Sequence, residues 1–452
     1  MGVTPSPDKE AMVQLKCFAR KIAKRLPRVI PDRPEQMATR YTGAKRARYA
    51  LAAQRLLAEG VSRKDATVSM FVKMEKLNPV KVNPDCRAIQ FRTPKYCVAI
   101  GQYLKPLEHI IYELSGDGKL LPPDRLIGKG LNQTERAELL VKKWHRFDRP
   151  VVVGIDATRF DKHIHTGLLE VEQIIYNAMV RDRTFARYMS WQMVNKGRTR
   201  SGVKYTVRGK RMSGDMNTAL GNCLIMVICV AFVLHGIKYD LLDDGDDLLI
   251  LCEDKLLCEV QQRVGRLLSF GLVVKAEAPA RSLPEVNWCQ SNPIEVMPGK
   301  WRFIRHPTKA FACALGGSKY MESSLKLRKK LVNSIGLCEL VLNSGVPVLQ
   351  EFAVALIRNA ATTETLKFDS IDSMYYRVMR ETALPMAVEI HPSARDSFMA
   401  AFGVTPQDQV DMELRLRNWS FSLQGDVAYP CDIDKISWKR PFGIFTPEIY
   451  HL

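Results

Sequence analysis

The sequence has no long apolar run, no internal repeat and no low-complexity block, and each absence closes off a class of protein. Its longest unbroken apolar stretch, Cys223 to Leu234, is well short of a membrane span and reads as a buried helix. Without repeats a solenoid is excluded, and without biased segments so is a long disordered tail. The N-terminus lacks the apolar core of a secretory signal, because Pro5, Pro7, Lys9 and Glu10 make it polar and basic. The eleven cysteines are odd in number and never spaced as CxxC, which gives neither a disulfide framework nor a zinc site. Several lie in apolar runs (Cys223, Cys229, Cys252 and Cys258), the pattern of reduced, buried thiols in a cytosolic protein. Acidic residues are also short. The 67 Lys and Arg against 48 Asp and Glu leave a net charge of +19, which favours a polyanionic partner. That balance suits a basic binding protein as well as an enzyme.

What is present is a chain of 452 residues, 46% apolar, with ample material for a core and room for two or three domains. The first sixty residues are basic and helical in pattern, as in Ala44 to Leu57. From Phe71 to Glu108 the spacing predicts strands and turns, punctuated by Pro79, Pro84, Pro94 and Pro106. Val151 to Ile155 predicts a short buried strand, and Gly167 to Tyr176 turns to helical spacing. Val203 to Arg211 alternates like a basic hairpin strand. A helix from about Asp254 to Phe270 then precedes the strand Leu272 to Lys275, and the segment after about Gly299 is mainly helical. Strands and helices mix without βαβ regularity, which predicts an α+β fold.

Chemistry is concentrated at Leu241 to Ile250, where Asp243, Asp244, Asp246 and Asp247 crowd a turn at Gly245 between two apolar runs. Such crowding is costly unless a cation neutralises it or water screens it, so an acidic surface turn is the plain alternative. Asp156 closes the Val151 strand, and a carboxylate at the end of a buried strand needs a metal or a hydrogen-bond donor. If the two strands are neighbours, three carboxylates converge in the hard-oxygen environment that Mg²⁺ or Mn²⁺ selects. Two such ions clamp the attacking and leaving oxygens of phosphoryl transfer. Between the strands, the loop Ser213-Gly214-Asp215-Met216-Asn217 leads into a helix that sets Thr218 and Asn222 on one face.

Taken in order, Asp156/Asp161, Ser213 to Asn222 and Gly245-Asp246-Asp247 resemble the palm motifs of viral RNA-dependent RNA polymerases of positive-strand viruses. The resemblance implies a right hand. Residues 1–150 would be fingers, 151–165 palm, 166–212 fingers again, 213–300 palm with an antiparallel sheet, and 301–452 a mainly helical thumb. It implies that Asp156 and Asp246 bind metal, with Asp247 secondary. Asp161 and Asn222 would read the ribose 2′-hydroxyl, helped by Ser213 or Thr218, since a donor–acceptor pair suits a hydroxyl. A reverse transcriptase, the nearest rival, would favour a bulky gate residue there. A non-catalytic RNA-binding protein would explain the charge but not the strand-end carboxylates.

Phe71 to Lys76 and Cys86 to Arg92 resemble the fingers strands that line the nucleotide channel. Lys73, Lys76, Arg87 and Arg92 could there neutralise triphosphate, or could form a solvated basic face. These strands, with Gly101 to Glu108, Val286 to Ser291 and Lys300 to Arg305, are most similar to the tombusvirus and umbravirus group. Lys275 stands where that class places a lysine that protonates leaving pyrophosphate, although a Lys275–Glu277 pair facing water fits as well. His163 and His165 read as structural, lacking further ligands. Tyr375, Tyr376 and Trp419 could stack on a base, but such aromatics are more often core.

The resemblance further implies replication of a plus-strand genome, with RNA template and product and nucleoside triphosphates as partners. Primer-independent initiation is expected of the same group, as is an auxiliary viral replication protein. The expected setting is a membrane-associated replication complex in host cytoplasm. In that group the polymerase is commonly the downstream part of a readthrough or frameshift product, so Met1 need not be the true start.

Overall fold

The computed structural model describes residues 4–73, 87–314, 324–366, 386–421 and 423. The chain divides into two units. One is formed by residues 1–74, 86–130 and 143–279, the other by 75–85, 131–142 and 280–452.

In chain order the strands of the first unit are β1 (Val68–Val72), β2 (Ala88–Phe91), β3 (Ser115–Gly116), β4 (Asp124–Arg125), β5 (Pro150–Ala157), β6 (Val194–Thr199), β7 (Lys204–Arg208), β8 (Tyr239–Asp243), β9 (Asp247–Glu253) and β10 (Val274–Ala276). They form two four-stranded sheets, ordered β2-β1-β6-β7 and β10-β5-β9-β8, and a short β3-β4 pair. The second large sheet is antiparallel throughout. Its central strands β5 and β9 carry unbroken apolar runs, buried from Val151 to Ile155 and from Leu248 to Cys252. Both faces are therefore covered.

The helix Thr218–Val233 is apolar almost all round and is buried from Leu220 to Ala231 within the main core. Helices Lys9–Ala23, Thr166–Val180 and Pro94–Tyr112 pack against it. This unit mixes helix with largely antiparallel sheet, β1 and β6 pairing in parallel, in the α+β manner expected from the sequence.

Three expectations need correction. The prolines at 94 and 106 do not break the chain into turns; they lie within one 19-residue helix, Pro94–Tyr112. Thr93 caps its start, accepting from the Tyr96 amide at 3.2 Å, and Pro94 occupies the first turn, where no amide is needed. Pro106 leaves the Gln102 carbonyl without its helical donor, and the Asp32 amide supplies one at 2.8 Å. The helix expected over Asp254 to Phe270 is α-helical only at Leu257–Gly265, with tighter turns on either side. Cys258, expected to be buried, is exposed, whereas Cys223, Cys229 and Cys252 are buried.

The second unit contains the hairpin β11 (Ser291–Met297) and β12 (Lys300–Arg305), followed by helices. It has its own apolar core, including Ile304, Phe352, Phe398 and Leu416. Trp419 belongs to that packing, stacked on Phe421 at 4.6 Å and Phe352 at 6.2 Å. Tyr375 and Tyr376 lie outside the described residues.

Candidate active site

The register of β5 and β9 sets Asp156 directly opposite Asp247. The Ala157 amide donates to the Asp246 carbonyl at 2.8 Å, tying the acidic turn to the end of β5. Inside the turn, the Asp244 amide donates to the Asp247 carbonyl at 2.9 Å. Gly245 adopts φ +105°, and a Cβ there would meet nothing closer than Asn222 Cβ at 3.7 Å. The need for glycine is thus conformational.

Asp156 and Asp246 are exposed, and Asp247 is half-buried. Loss of solvent, and then the charge of Asp246, raise the Asp156 carboxyl above the ordinary range. Lys275, paired with Asp156 across β10 and β5, pulls it back down. Glu277 joins the group. Burial first, then Asp156, raise its carboxyl, while Lys275 lowers it. Its Oε2 would stand 2.8 Å from a Cβ at residue 154, so the bare Gly154 gives that carboxylate its room.

Among the described residues, no group of three or more His, Cys, Asp or Glu encloses a metal site. The mutual repulsion of Asp156 and Asp246 nevertheless fits a hard cation. Such an ion is satisfied by one or two carboxylates, with phosphate and water filling the remaining positions.

Beside the turn, Asn222 Nδ2 donates to Asp161 Oδ1 at 2.8 Å. Burial raises the Asp161 carboxyl most; Asn222 and Arg211 lower it, and Asp246 raises it again. The pair therefore stands within electrostatic reach of the acidic turn.

Other expected residues have local tasks. Ser213 Oγ donates to the Ala88 carbonyl and accepts from the Gln90 amide, both at 3.1 Å, which stitches the loop to β2. Thr218 Oγ1 donates to the Met212 carbonyl at 2.7 Å. Arg92, expected on the triphosphate channel, is only 3% exposed. Its Nε and Nη2 meet Asp215 at 2.5 and 3.1 Å, and further donors reach the Ala66 carbonyl and Asn195 Oδ1. Its fork is taken up inside the protein. Lys73 and Arg87 are exposed, the Lys73 amide donating to the Arg87 carbonyl at 2.8 Å; Lys76 lies outside the described residues. His163 and His165 are structural, their rings meeting the carbonyls of Arg159 and Phe270.

Of the four acids that crowd the turn, Asp243 and Asp244 are buried. Asp244 pairs with Lys129. Asp243 exchanges backbone hydrogen bonds with Leu126 and Gly128, each 2.8 Å, so residues 126–129 brace the back of the turn. Burial holds the Asp243 carboxyl far above the ordinary carboxylate range, although the Cys223 thiol and the Gly245 amide beside it pull it down. Arg211 and Glu172, buried beneath Asn222, were not picked out from the sequence. Glu172 had a signal, an acid on the apolar stripe of Leu168, Leu169, Ile175 and Tyr176.

A family model described as viral RNA dependent RNA polymerase matches residues 2–424. The chain is 34% identical, over 99% of its length, to an RNA-directed RNA polymerase of Groundnut rosette virus, covering 52% of that protein. It is similarly 34% identical to that of Turnip crinkle virus (82% of this chain, 48% of the relative). With that of Cymbidium ringspot virus it shares 30% (93% and 52%). The chain thus spans about half the length of these relatives.

Proposed function

Because the chain belongs to the viral RNA-dependent RNA polymerase family, we propose that it copies RNA by template-directed nucleotidyl transfer. The carrying observation is that one sheet end brings Asp156 against the acidic turn, beside the hydrogen-bonded Asp161–Asn222 pair. On this reading the 3′-hydroxyl of the growing strand attacks the nucleotide's α-phosphate and pyrophosphate leaves. Asp156 and Asp246, with Asp247 secondary, would hold Mg²⁺ or Mn²⁺, whose charge offsets that developing on the attacking and leaving oxygens.

Asp161 accepts from the ribose 2′-hydroxyl and Asn222 donates to it. Lys275, exposed and opposite Asp156, protonates the leaving group, a contribution of about 10²–10⁴-fold where such an acid operates. Lys73 and Arg87 offer charge to the triphosphate. A cavity of about 670 Å³ lined by Lys45, Arg48, Tyr49, Phe71, Phe91 and Arg200 combines cations with ring faces, which suits a single RNA strand.

The same reading assigns residues 1–150 and 166–212 to fingers, 151–165 and 213–300 to palm, and 301–452 to thumb. It also takes in primer-independent initiation and recruitment by an auxiliary viral protein to a membrane-associated complex in host cytoplasm. The test is nucleotide incorporation on a homopolymeric RNA template with Mg²⁺, comparing wild type with Asp246→Ala. Loss of incorporation in the variant is expected. Equal activity in the two proteins would sink the assignment.

A further inference from the structure

Beneath the Asp161–Asn222 pair lies a buried ion pair that the reaction itself does not use. Arg211 and Glu172 are 3% and 1% exposed. Arg211 Nη2 donates to Glu172 Oε2 at 2.5 Å and Nη1 to Oε1 at 3.3 Å, while Asn217 Nδ2 reaches Oε1 at 2.6 Å. Arg211 Nε donates to Asn222 Oδ1 at 3.1 Å. The Arg211 backbone amide donates to the Asp161 carbonyl at 2.9 Å, so one residue holds both halves of the pair.

We propose that Arg211, anchored by Glu172, is the positioning residue for ribose selection, because it fixes which way the Asn222 amide faces. The inference rests on the polymerase reading above. An asparagine amide has an acceptor end and a donor end, and arginine offers donors only. With Oδ1 on Arg211, Nδ2 must point to Asp161, as observed. A flipped amide would set its NH₂ against the guanidinium and its oxygen against a carboxylate. The lock leaves one Nδ2 hydrogen and Asp161 Oδ2 as a donor and an acceptor side by side, the complement of a 2′-hydroxyl. Asp161 can then turn toward the sugar while Arg211 keeps the amide in place.

The pair is otherwise hard to account for. A buried ion pair is seldom more stabilising than well-packed apolar residues, which leaves this one free for a task in specificity. Gly221 makes space for it, since a Cβ there would come within 2.4 Å of both Arg211 Nη2 and Glu172 Oε1.

The test is the ratio of kcat/KM for ATP to that for dATP on an RNA template, in wild type, Asn222→Ala, Arg211→Lys, Arg211→Met and Gly221→Ala. Gly221→Ala pushes the pair aside without removing a polar group, and it displaces side-chain ends rather than backbone. It therefore serves if Arg211→Met does not fold. The three Arg211 and Gly221 variants should lower the ratio about tenfold, the effect of one lost charge-assisted hydrogen bond, with dATP incorporation changing much less. A merely structural defect would depress both substrates alike and leave the ratio unchanged; that result, with Asn222→Ala still relaxing selection, overturns the role of Arg211. A wild type without polymerase activity, or an Asn222→Ala protein with full discrimination, would instead refute the functional reading and this inference with it.

Discussion

Replacing Arg92 with methionine decides whether this arginine serves the fold or the nucleotide. Its guanidinium is enclosed, with two donors on Asp215, one on the Ala66 carbonyl and one on Asn195. The Asp215 side chain is itself only 3% exposed. In Arg92→Met that carboxylate is left buried without a counter-ion, and breaking such a pair costs about 3–5 kcal/mol. The acceptors on Ala66 and Asn195 lose their donors as well, each worth roughly 1 kcal/mol or more. Against a total stability of about 5–15 kcal/mol, the single variant approaches unfolding and is best measured cold. Asp215→Leu strands the arginine and should cost a similar amount.

The double variant Arg92→Met/Asp215→Leu removes both charges and should fall short of the summed single losses by at least about 2 kcal/mol. Urea melts followed by far-UV circular dichroism and tryptophan fluorescence measure all three. Nucleotide KM in the double variant should stay close to that of the wild type. An Arg92→Met protein that is fully stable but has a raised nucleotide KM would refute the reasoning, as would strictly additive single effects.

Lys275→Leu should slow single-turnover incorporation with little loss of template binding in a gel shift; an unchanged rate would return Lys275 to a simple pairing with Asp156 and Glu277. Asp243 yields a prediction in pH. Its folded-state pKa lies well above the unfolded one, so its contribution to stability is full at acidic pH and is lost as pH rises through the folded value. Each unit of that elevation amounts to about 1.4 kcal/mol at a pH above it. Asp243→Asn, which cannot ionise, should therefore raise Tm at pH 8 by an amount that shrinks toward pH 4. A Tm difference independent of pH would contradict the buried, protonated acid.

Some of this was legible because it is local. The alternation of apolar runs with a Gly-containing acidic turn is a hairpin wherever it occurs, and Asp156 at the end of a valine-rich strand announces an unusual carboxylate. Glu172 also carried a signal, an acid on the buried stripe of Thr166–Val180, although no role for it is read from the sequence. Other signals misled for an equally local reason. Pro94 and Pro106 read as breaks, because a capping threonine can be guessed from neighbours but the Asp32 amide that satisfies Gln102 cannot. Arg92 looked like Lys73 and Arg87 in a basic strand. Only packing against Asp215, far along the chain, separates it from them.

The sequence by itself therefore determined the strand Val151 to Ile155, the acidic turn and the residue types able to hold a cation and read a sugar. These follow from spacing, turn chemistry and the strain of crowded charge. The tertiary structure decided which charges meet. The β5–β9 register set Asp156 against the turn, the brace at residues 126–129 buried Asp243, and Glu172, on the helix Thr166–Val180, anchored Arg211 against Asn222. Such partners lie many residues apart, and a Coulomb or hydrogen-bond energy depends on ångströms that only the folded register supplies.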